Sequence, residues 1–172
     1  MLAALALLSV SSPAAALEEQ YEMLSASVEV APIFGLAFDN PSLNFPQVSP
    51  GHTEILGEGH YHNQVTCRAN SGRAWYLKAE LVSLKHLQQA YTLPPSQLKF
   101  KVAQSTGSNE PSAGAHEFTP FAEGPMLIYA SQGVDNKGKP VTLSFQYSLT
   151  CPLDAPAGSY VGQITFTMAE NL

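Results

Sequence analysis

The segment TLSFQYSLTC, residues 142–151, decides the fold predicted for this chain. Apolar and polar side chains alternate along it without interruption, and the apolar positions are Leu143, Phe145, Tyr147, Leu149 and Cys151. Successive side chains of a β-strand point to opposite faces of a sheet. The alternation therefore predicts a strand that buries one face and exposes the other.

A second alternating run covers residues 61–69 and places Val65 and Cys67 on its apolar side. The chain has two cysteines, and both are thus predicted on inward faces of strands that are far apart in sequence. We therefore predict a disulfide between Cys67 and Cys151 across the core of a β-sandwich. Because disulfides persist in oxidising compartments, this pairing predicts an exported protein. The alternative is two buried free thiols in a cytosolic protein.

Alternation of the same kind recurs in three further segments, residues 74–83, 98–102 and 160–168, and residues 126–130 are predicted as a further short strand; turn-forming residues separate these segments. This pattern predicts an all-β fold, an Ig-like or jelly-roll β-sandwich of eight to nine short antiparallel strands. Helix-forming residues concentrate in residues 83–90, for which we predict one short helical crossover. Residues 70–73, Asn-Ser-Gly-Arg, have the composition of a hairpin turn, which predicts that the strands on either side of them pair.

Length and charge limit the functions that the chain can have. With 172 residues, the chain fits one domain that can bury a substantial core. The net charge is −6, and the chain contains only 8 Lys and Arg residues. Nucleic-acid binding needs a basic patch that neutralises phosphates, so this composition argues against a nucleic-acid partner.

The N-terminus has the pattern of a secretory signal peptide. An apolar run over residues 2–10 is followed by a break and by Ala-Ala-Ala at 14–16. We predict a signal peptide over residues 1–16 and hence a secreted or extracytoplasmic location, at a bacterial cell surface or in the periplasm. The alternative is an apolar strand or helix of the mature domain.

No later segment is apolar over enough length to span a membrane, so we expect no membrane span in the mature chain.

Residues 17–31 follow as an N-terminal arm, and residues 32–172 are predicted to form a single β-sandwich domain. The arm contains a first alternating strand, whose apolar side chains are Leu24, Ala26, Val28 and Val30. A strand at the end of a loose segment can complete the sheet of a neighbouring molecule by β-strand addition. The alternative is an ordinary first strand that folds into its own domain.

Two segments resemble parts of bacterial surface proteins. Residues 154–167 contain a Pro-x-Gly-x-Tyr turn ending at Tyr160, and they resemble the ends of spore-coat-U-like secreted pilin subunits and of bacterial Ig-like surface modules. Residues 71–79 contain a Trp-x-Leu element beginning at Trp75 and are similar to the first half-motif of the WxL cell-surface domain. These resemblances imply an exported bacterial β-sandwich that is a surface or appendage component, and they imply no enzyme.

The best candidate for ligand chemistry is the pair of histidines in His60-Tyr61-His62. In a strand, His60 and His62 point to the same face roughly 6–7 Å apart, which suits two imidazole ligands of one zinc or copper ion. A third ligand would come from one of four residues: His52, Glu54, Glu58 or His116. The alternative is that both histidines are ordinary residues of a polar strand face.

The sequence contains no catalytic or cofactor motif. It has no Gly-x-Ser-x-Gly, no Cys-x-x-Cys and no Gly-rich phosphate loop at a strand–helix junction. We therefore expect a non-catalytic protein without a cofactor, a structural or adhesive subunit of a bacterial cell-surface layer or fibre. Its partners would be further copies of itself or other surface proteins. The alternative is an extracytoplasmic glycan- or metal-binding β-sandwich module, in which Tyr76 and Tyr91 would be exposed and stack on a sugar.

Overall fold

The computed structural model describes residues 24–171. The chain divides into two units at the Val30–Ala31 junction. Of the first unit, residues 24–30 are described, and they form neither helix nor strand. The signal peptide predicted for residues 1–16 lies outside the described residues. Within the described part, no helix has the length and the hydropathy needed to cross a membrane.

The second unit is built almost entirely from β-strands, which confirms the predicted fold class. Its described residues contain ten strands: β1 (Phe34–Phe38), β2 (Thr53–Leu56), β3 (Asn63–Ala69), β4 (Tyr76–His86), β5 (Thr92–Leu93), β6 (Leu98–Ser105), β7 (Thr119–Pro120), β8 (Met126–Ala130), β9 (Val141–Thr150) and β10 (Tyr160–Ala169). The helical elements of the same residues are two short 3-10 turns, Pro95–Gln97 and Gly133–Lys137.

The strands form two antiparallel sheets that pack against each other as a β-sandwich. In the larger sheet the order is β1, β3, β9, β6, β7, and β2 pairs with the C-terminal half of β9. In the smaller sheet the order is β10, β4, β5, and β8 pairs with the N-terminal part of β4. β1 and β10 are therefore edge strands of the two sheets.

β9 lies inside the larger sheet and confirms the alternation seen in its sequence. Four of its inward side chains are at most 1% exposed: Val141, Leu143, Phe145 and Tyr147. Part of its polar face is buried as well, since Ser144 is 1% exposed and accepts a hydrogen bond from the Gln64 side-chain amide at 3.0 Å. The neighbouring strands thus cover polar positions of β9 and satisfy their hydrogen bonds.

The helical crossover predicted for residues 83–90 is wrong. β4 continues as a strand to His86, and a bend follows. Leu84 and Lys85 pair with residues of β5. Eight residues of good helix propensity gain little as an isolated helix, because helix nucleation is costly, so interstrand pairing decides the local structure.

The hairpin predicted at residues 70–73 is also wrong. β3 pairs with β1 and β9 in the larger sheet, whereas β4 belongs to the smaller sheet, so the connection crosses from one sheet to the other. Trp75 directly precedes β4, and two hydrogen bonds hold it where the chain enters the smaller sheet. Its backbone N–H donates to Ser131 Oγ at 2.7 Å, and its indole N–H donates to the carbonyl oxygen of Asp135 at 3.3 Å.

The predicted Cys67–Cys151 disulfide is wrong, because both cysteines are free thiols. Cys67 pairs with Val141 at one end of β9, and Cys151 follows the other end, ten residues further along. At about 3.3 Å per residue the two positions are roughly 30 Å apart, whereas a disulfide needs Cα atoms within about 7 Å. The prediction of export therefore rests on residues 1–16 and no longer on a disulfide.

We expect the two thiols to react at very different rates. Cys67 is 0% exposed, and burial raises its pKa to about 12, whereas Cys151 is half-buried. Because the thiolate is the reactive form, Cys67 in the native protein should react with a thiol reagent at least ~100-fold more slowly than Cys151. Mass spectrometry after alkylation should find one label on the native protein and two after unfolding without reductant. Unreduced protein that takes up no label after unfolding would contradict the structure.

Candidate functional site: an open sheet edge and a polar depression

β10 presents an open edge of the smaller sheet. It pairs with β4 along one side, and no strand among residues 24–171 pairs with its other side. Its sequence, YVGQITFTMA, contains no charged residue and no proline. Natural sheets usually protect such edges with charges, prolines or covering loops, because unpaired N–H and C=O groups template pairing with other chains. An unprotected edge of ten residues is therefore suited to accept another strand.

Apolar side chains reach the surface beneath this edge. The inward residues of β10, Ile164, Phe166 and Met168, follow the predicted alternation but are only half-buried. Phe166 contacts Phe145 and Phe38, with ring centroids 5.3 and 5.4 Å apart. Phe38 belongs to β1, the edge strand of the other sheet, and is itself 38% exposed. β1 and β10 thus border a side of the sandwich where the core is incompletely covered.

Gly162 separates an irregular start of β10 from a regular remainder. The register with β4 shifts at this residue. A Cβ at Gly162 would lie 2.9 Å from the carbonyl oxygens of Val82 and Ser83, so a side chain does not fit there. From Gln163 to Ala169 the pairing is continuous. The uniform part of the open edge is therefore seven residues long.

A loop covers the corresponding edge on the other side of the smaller sheet. Beside β8, the Ser112 N–H donates to the carbonyl oxygen of Ile128 at 2.7 Å. The Asn109 side-chain amide donates to the carbonyl oxygen of Ala130 at 2.9 Å. The edge of β8 is thus occupied by its own chain, whereas β10 is a long strand whose outer edge has no partner strand among the described residues.

Residues 24–30 do not form the first strand predicted for them. None of these residues is in a strand. Their large apolar side chains are exposed: Leu24 by 96%, Val28 by 89% and Val30 by 74%. Ala26, the remaining apolar residue of the alternation, is exposed as well. The segment therefore has the side-chain pattern of a strand without belonging to a sheet.

The turn before β10 explains its Pro-x-Gly-x-Tyr sequence. The Tyr160 hydroxyl donates to the carbonyl oxygen of Pro156 at 2.7 Å. Gly158 has a φ of +150°, and a Cβ there would collide with the imidazole Nε2 of His86. His86 Nδ1 accepts two backbone N–H groups, which places its proton on Nε2, 3.1 Å from the carbonyl oxygen of Ala157. The turn thus fixes the start of the open edge to the end of β4.

The structure does not assemble the metal site predicted at His60 and His62. β3 begins only at Asn63, so both histidines lie in the preceding turn and do not share a strand face. His62 Nε2 is hydrogen-bonded to the carbonyl oxygen of Ser42 at 2.8 Å, and its ring packs edge-on against Tyr147. Across residues 24–171, no three His, Cys, Asp or Glu residues are grouped so that they could hold a metal ion.

A shallow depression of about 350 Å³ lies on the outer face of the larger sheet, beside the turn that carries His60. It is lined by turn residues 59–61, by Lys101, Ala103 and Gln104 of β6, and by Gln146 of β9. Tyr61 is 39% exposed, whereas the predicted sugar-stacking residues Tyr76 and Tyr91 are half-buried. The sequence did not predict that Lys101, Gln104 and Gln146 lie close together. The pairing of β6 with β9 brings them together, and no local sequence pattern predicts that pairing.

Comparisons with known proteins do not identify a family for this chain. No protein-family model and no curated protein matches the sequence. Among solved structures, it is similar to a chain from a structural analysis of a family 123 glycoside hydrolase of Clostridium perfringens, reported for glycolipid glycan hydrolysis. The identity is 16%, the TM-score is 0.39, and the match covers 71% of this chain and 19% of that one. A likeness at this TM-score carries no inference about function, for or against enzymatic activity.

Proposed function

We propose that this protein is an exported, non-catalytic subunit of a bacterial cell-surface layer or fibre, and that it self-assembles by β-strand addition. The observation that carries the proposal is the open edge of β10, which has no partner strand among the described residues and no charged or proline residue to protect it. The donor is residues 24–30 of a second copy.

The lengths of the two segments support this pairing. The uniform part of the β10 edge runs from Gln163 to Ala169, seven residues. Residues 24–30 are also seven, and four of them are the alternating apolar residues. A donor strand beside β10 would direct these four side chains toward the half-buried Ile164, Phe166 and Met168, where the core is incompletely covered.

The polar positions of the two segments match as well. Ser25, Ser27 and Glu29 alternate with the apolar residues of the arm. On β10 the outward residues are Gln163, Thr165 and Thr167, which are exposed. Addition of the arm in this orientation buries only apolar side chains and pairs backbone N–H and C=O groups that otherwise face water. Such a partner gains both apolar burial and interstrand hydrogen bonds.

The cell-surface location is supported by the sequence. Residues 1–16 have the order of a signal peptide. The Pro-x-Gly-x-Tyr turn at residues 156–160 resembles the endings of secreted pilin-like subunits, and here it fixes the start of the open edge through Tyr160 and Gly158. No metal or cofactor enters the proposal.

Removal of the arm is expected to abolish assembly and leave the domain folded. A chain that begins at Leu17 should form polymers whose mass grows with concentration, whereas a chain that begins at Ala31 should remain a monomer. Sedimentation velocity measures both, and circular dichroism checks that the two chains share the same β-sheet signal. The shortened chain keeps its β10 edge but lacks a donor, so adding it to the longer chain should shorten the polymers.

Two results would count against this function. A monodisperse monomer of the chain beginning at Leu17, at every concentration tested, removes self-assembly altogether. Polymers of equal size from both chains would show that assembly uses a surface other than the arm.

A further inference from the structure

We propose that the depression beside His60 and Tyr61 binds an anionic sugar, a uronate or a sulfated unit of a polysaccharide. The depression lies on β6 and β9 of the larger sheet, whereas the proposed assembly edge is β10 of the smaller sheet. This inference is therefore independent of the proposed self-assembly, and it would give the subunit an adhesive function.

Hydrogen bonds hold the turn beside the depression in place. The Gln146 side-chain amide donates to the carbonyl oxygens of Gly57 and His60 at 2.8 and 3.0 Å. Gly57 has a φ of +81°, and a Cβ there would lie 2.5 Å from the backbone nitrogen of His62. Because the turn is fixed by these contacts, a ligand would not have to order it, which lowers the cost of binding.

The groups that line the depression suit a ligand rich in hydroxyl groups. Tyr61 offers an exposed ring, on which the C–H face of a sugar can stack. Gln104 is exposed and can donate to and accept from sugar hydroxyls through one amide. The volume is at the lower end of the roughly 300–1,000 Å³ that small-molecule sites occupy, so one or two sugar units would fill it.

Lys101 gives the depression a preference for negative charge. It lies opposite Gln146 in the β6–β9 register and makes no ion pair with any residue in the described part of the chain. None of the lining residues is a carboxylate, although the whole protein has a net charge of −6. The carboxylate of a uronate or the sulfate of a sulfated sugar would form a charge-assisted hydrogen bond with the free ammonium group.

Affinity electrophoresis of the full chain tests this assignment with three polymers at about 0.15 M salt, where weak surface electrostatics are screened. The polymers are polygalacturonate, dextran sulfate and neutral dextran. We expect retardation by one or both anionic polymers and none by neutral dextran; the two anionic polymers distinguish a carboxylate from a sulfate ligand. Loss of the charged contact in Lys101→Gln should weaken binding about tenfold or more. Tyr61→Ala should weaken it as well.

Lys99→Gln is the matched control, since Lys99 lies two residues from Lys101 on the same strand and does not line the depression. Its binding should stay within about twofold of the parent, because a single charge that does not contact the ligand contributes little at this salt concentration. Equal losses in Lys99→Gln and Lys101→Gln would mean a diffuse charge effect and would overturn the site. The absence of retardation by both anionic polymers, or equal retardation by neutral dextran, would overturn it too.

Discussion

Replacement of Asp135 by Asn is expected to lower the free energy of unfolding by about 2–4 kcal/mol. Asp135 is 0% exposed, and its carboxylate accepts hydrogen bonds from the Tyr129 hydroxyl at 2.6 Å and from the Ser108 backbone N–H and hydroxyl at 3.0 and 2.8 Å. An amide has one acceptor oxygen and would turn an N–H₂ group toward these donors. The substitution thus removes one acceptor and the negative charge, so that the hydrogen bonds from the buried Tyr129 hydroxyl and from Ser108 become fewer and weaker.

Urea denaturation of the two proteins measures this difference, with Asp154→Asn as the matched control. Asp154 is exposed and accepts from the Tyr91 hydroxyl at 3.3 Å, a bond that an Asn side chain can also accept. The control should change the unfolding free energy by less than about 0.5 kcal/mol. A loss below about 1 kcal/mol in Asp135→Asn would contradict the importance assigned to this carboxylate.

The same substitution should remove a component of the pH dependence of stability. Burial alone would raise the pKa of Asp135, but the hydrogen bonds from Tyr129 and Ser108 outweigh it and lower the pKa. A carboxyl group with a lowered folded-state pKa stabilises the protein above its unfolded pKa, near 4, and that stability is lost as the pH falls through the folded pKa. The difference in stability between parent and Asp135→Asn should therefore shrink below about pH 4.

The stability that Tyr129 contributes has the opposite pH dependence: it is lost at alkaline pH. Burial, followed by the hydrogen bond to Asp135, raises its pKa to about 12. Its neutral form is therefore favoured in the folded state, and its contribution is fully present below the unfolded pKa near 10 and is lost as the pH rises through the folded value.

The inward faces of the strands could be predicted from the sequence, because the pleat determines them locally. Val65, Leu77 and Phe145 alternate with polar neighbours, and each is 0% exposed. Strand partners are not determined locally. Cys67 and Cys151 both occupy apolar positions of an alternating pattern, yet the disulfide does not form, because Cys67 on β3 lies beside the first residue of β9 and Cys151 follows its last. Alternation predicts which face of a sheet a side chain occupies. It does not predict the position of that residue along the neighbouring strands.

In the candidate site, too, the sequence predicts the side-chain pattern but not the strand pairing. The apolar pattern of residues 24–30 is visible in the sequence, but the sequence could not show whether it folds into its own sheet; in the structure it stays unpaired. The open edge of β10 and the depression at Lys101 both depend on sheet order, which arises from pairings between distant segments. The sequence did not predict that Asp135 is buried, because an isolated Asp in a turn is usually exposed to solvent.

Proline substitutions within the arm should prevent assembly without disturbing the domain. Residues 24–30 contribute to no strand, so Ala26→Pro and Ser27→Pro should leave the unfolding transition unchanged. In an added strand, the N–H groups of adjacent residues point to opposite sides, so one of these two positions must direct its N–H toward β10. Proline has no N–H and removes that bond. A loss on the order of 2 kcal/mol would raise the concentration needed for assembly about thirtyfold.

Ser27→Ala is the control, because it keeps the backbone N–H and removes only an exposed hydroxyl. It should assemble at the same concentration as the parent in sedimentation velocity. Normal assembly of both proline variants would exclude strand addition by this segment, and an equal loss in Ser27→Ala would point to a side-chain contact instead. Because proline is tolerated where an edge N–H faces solvent, the position at which assembly fails also identifies which residues of the arm face β10.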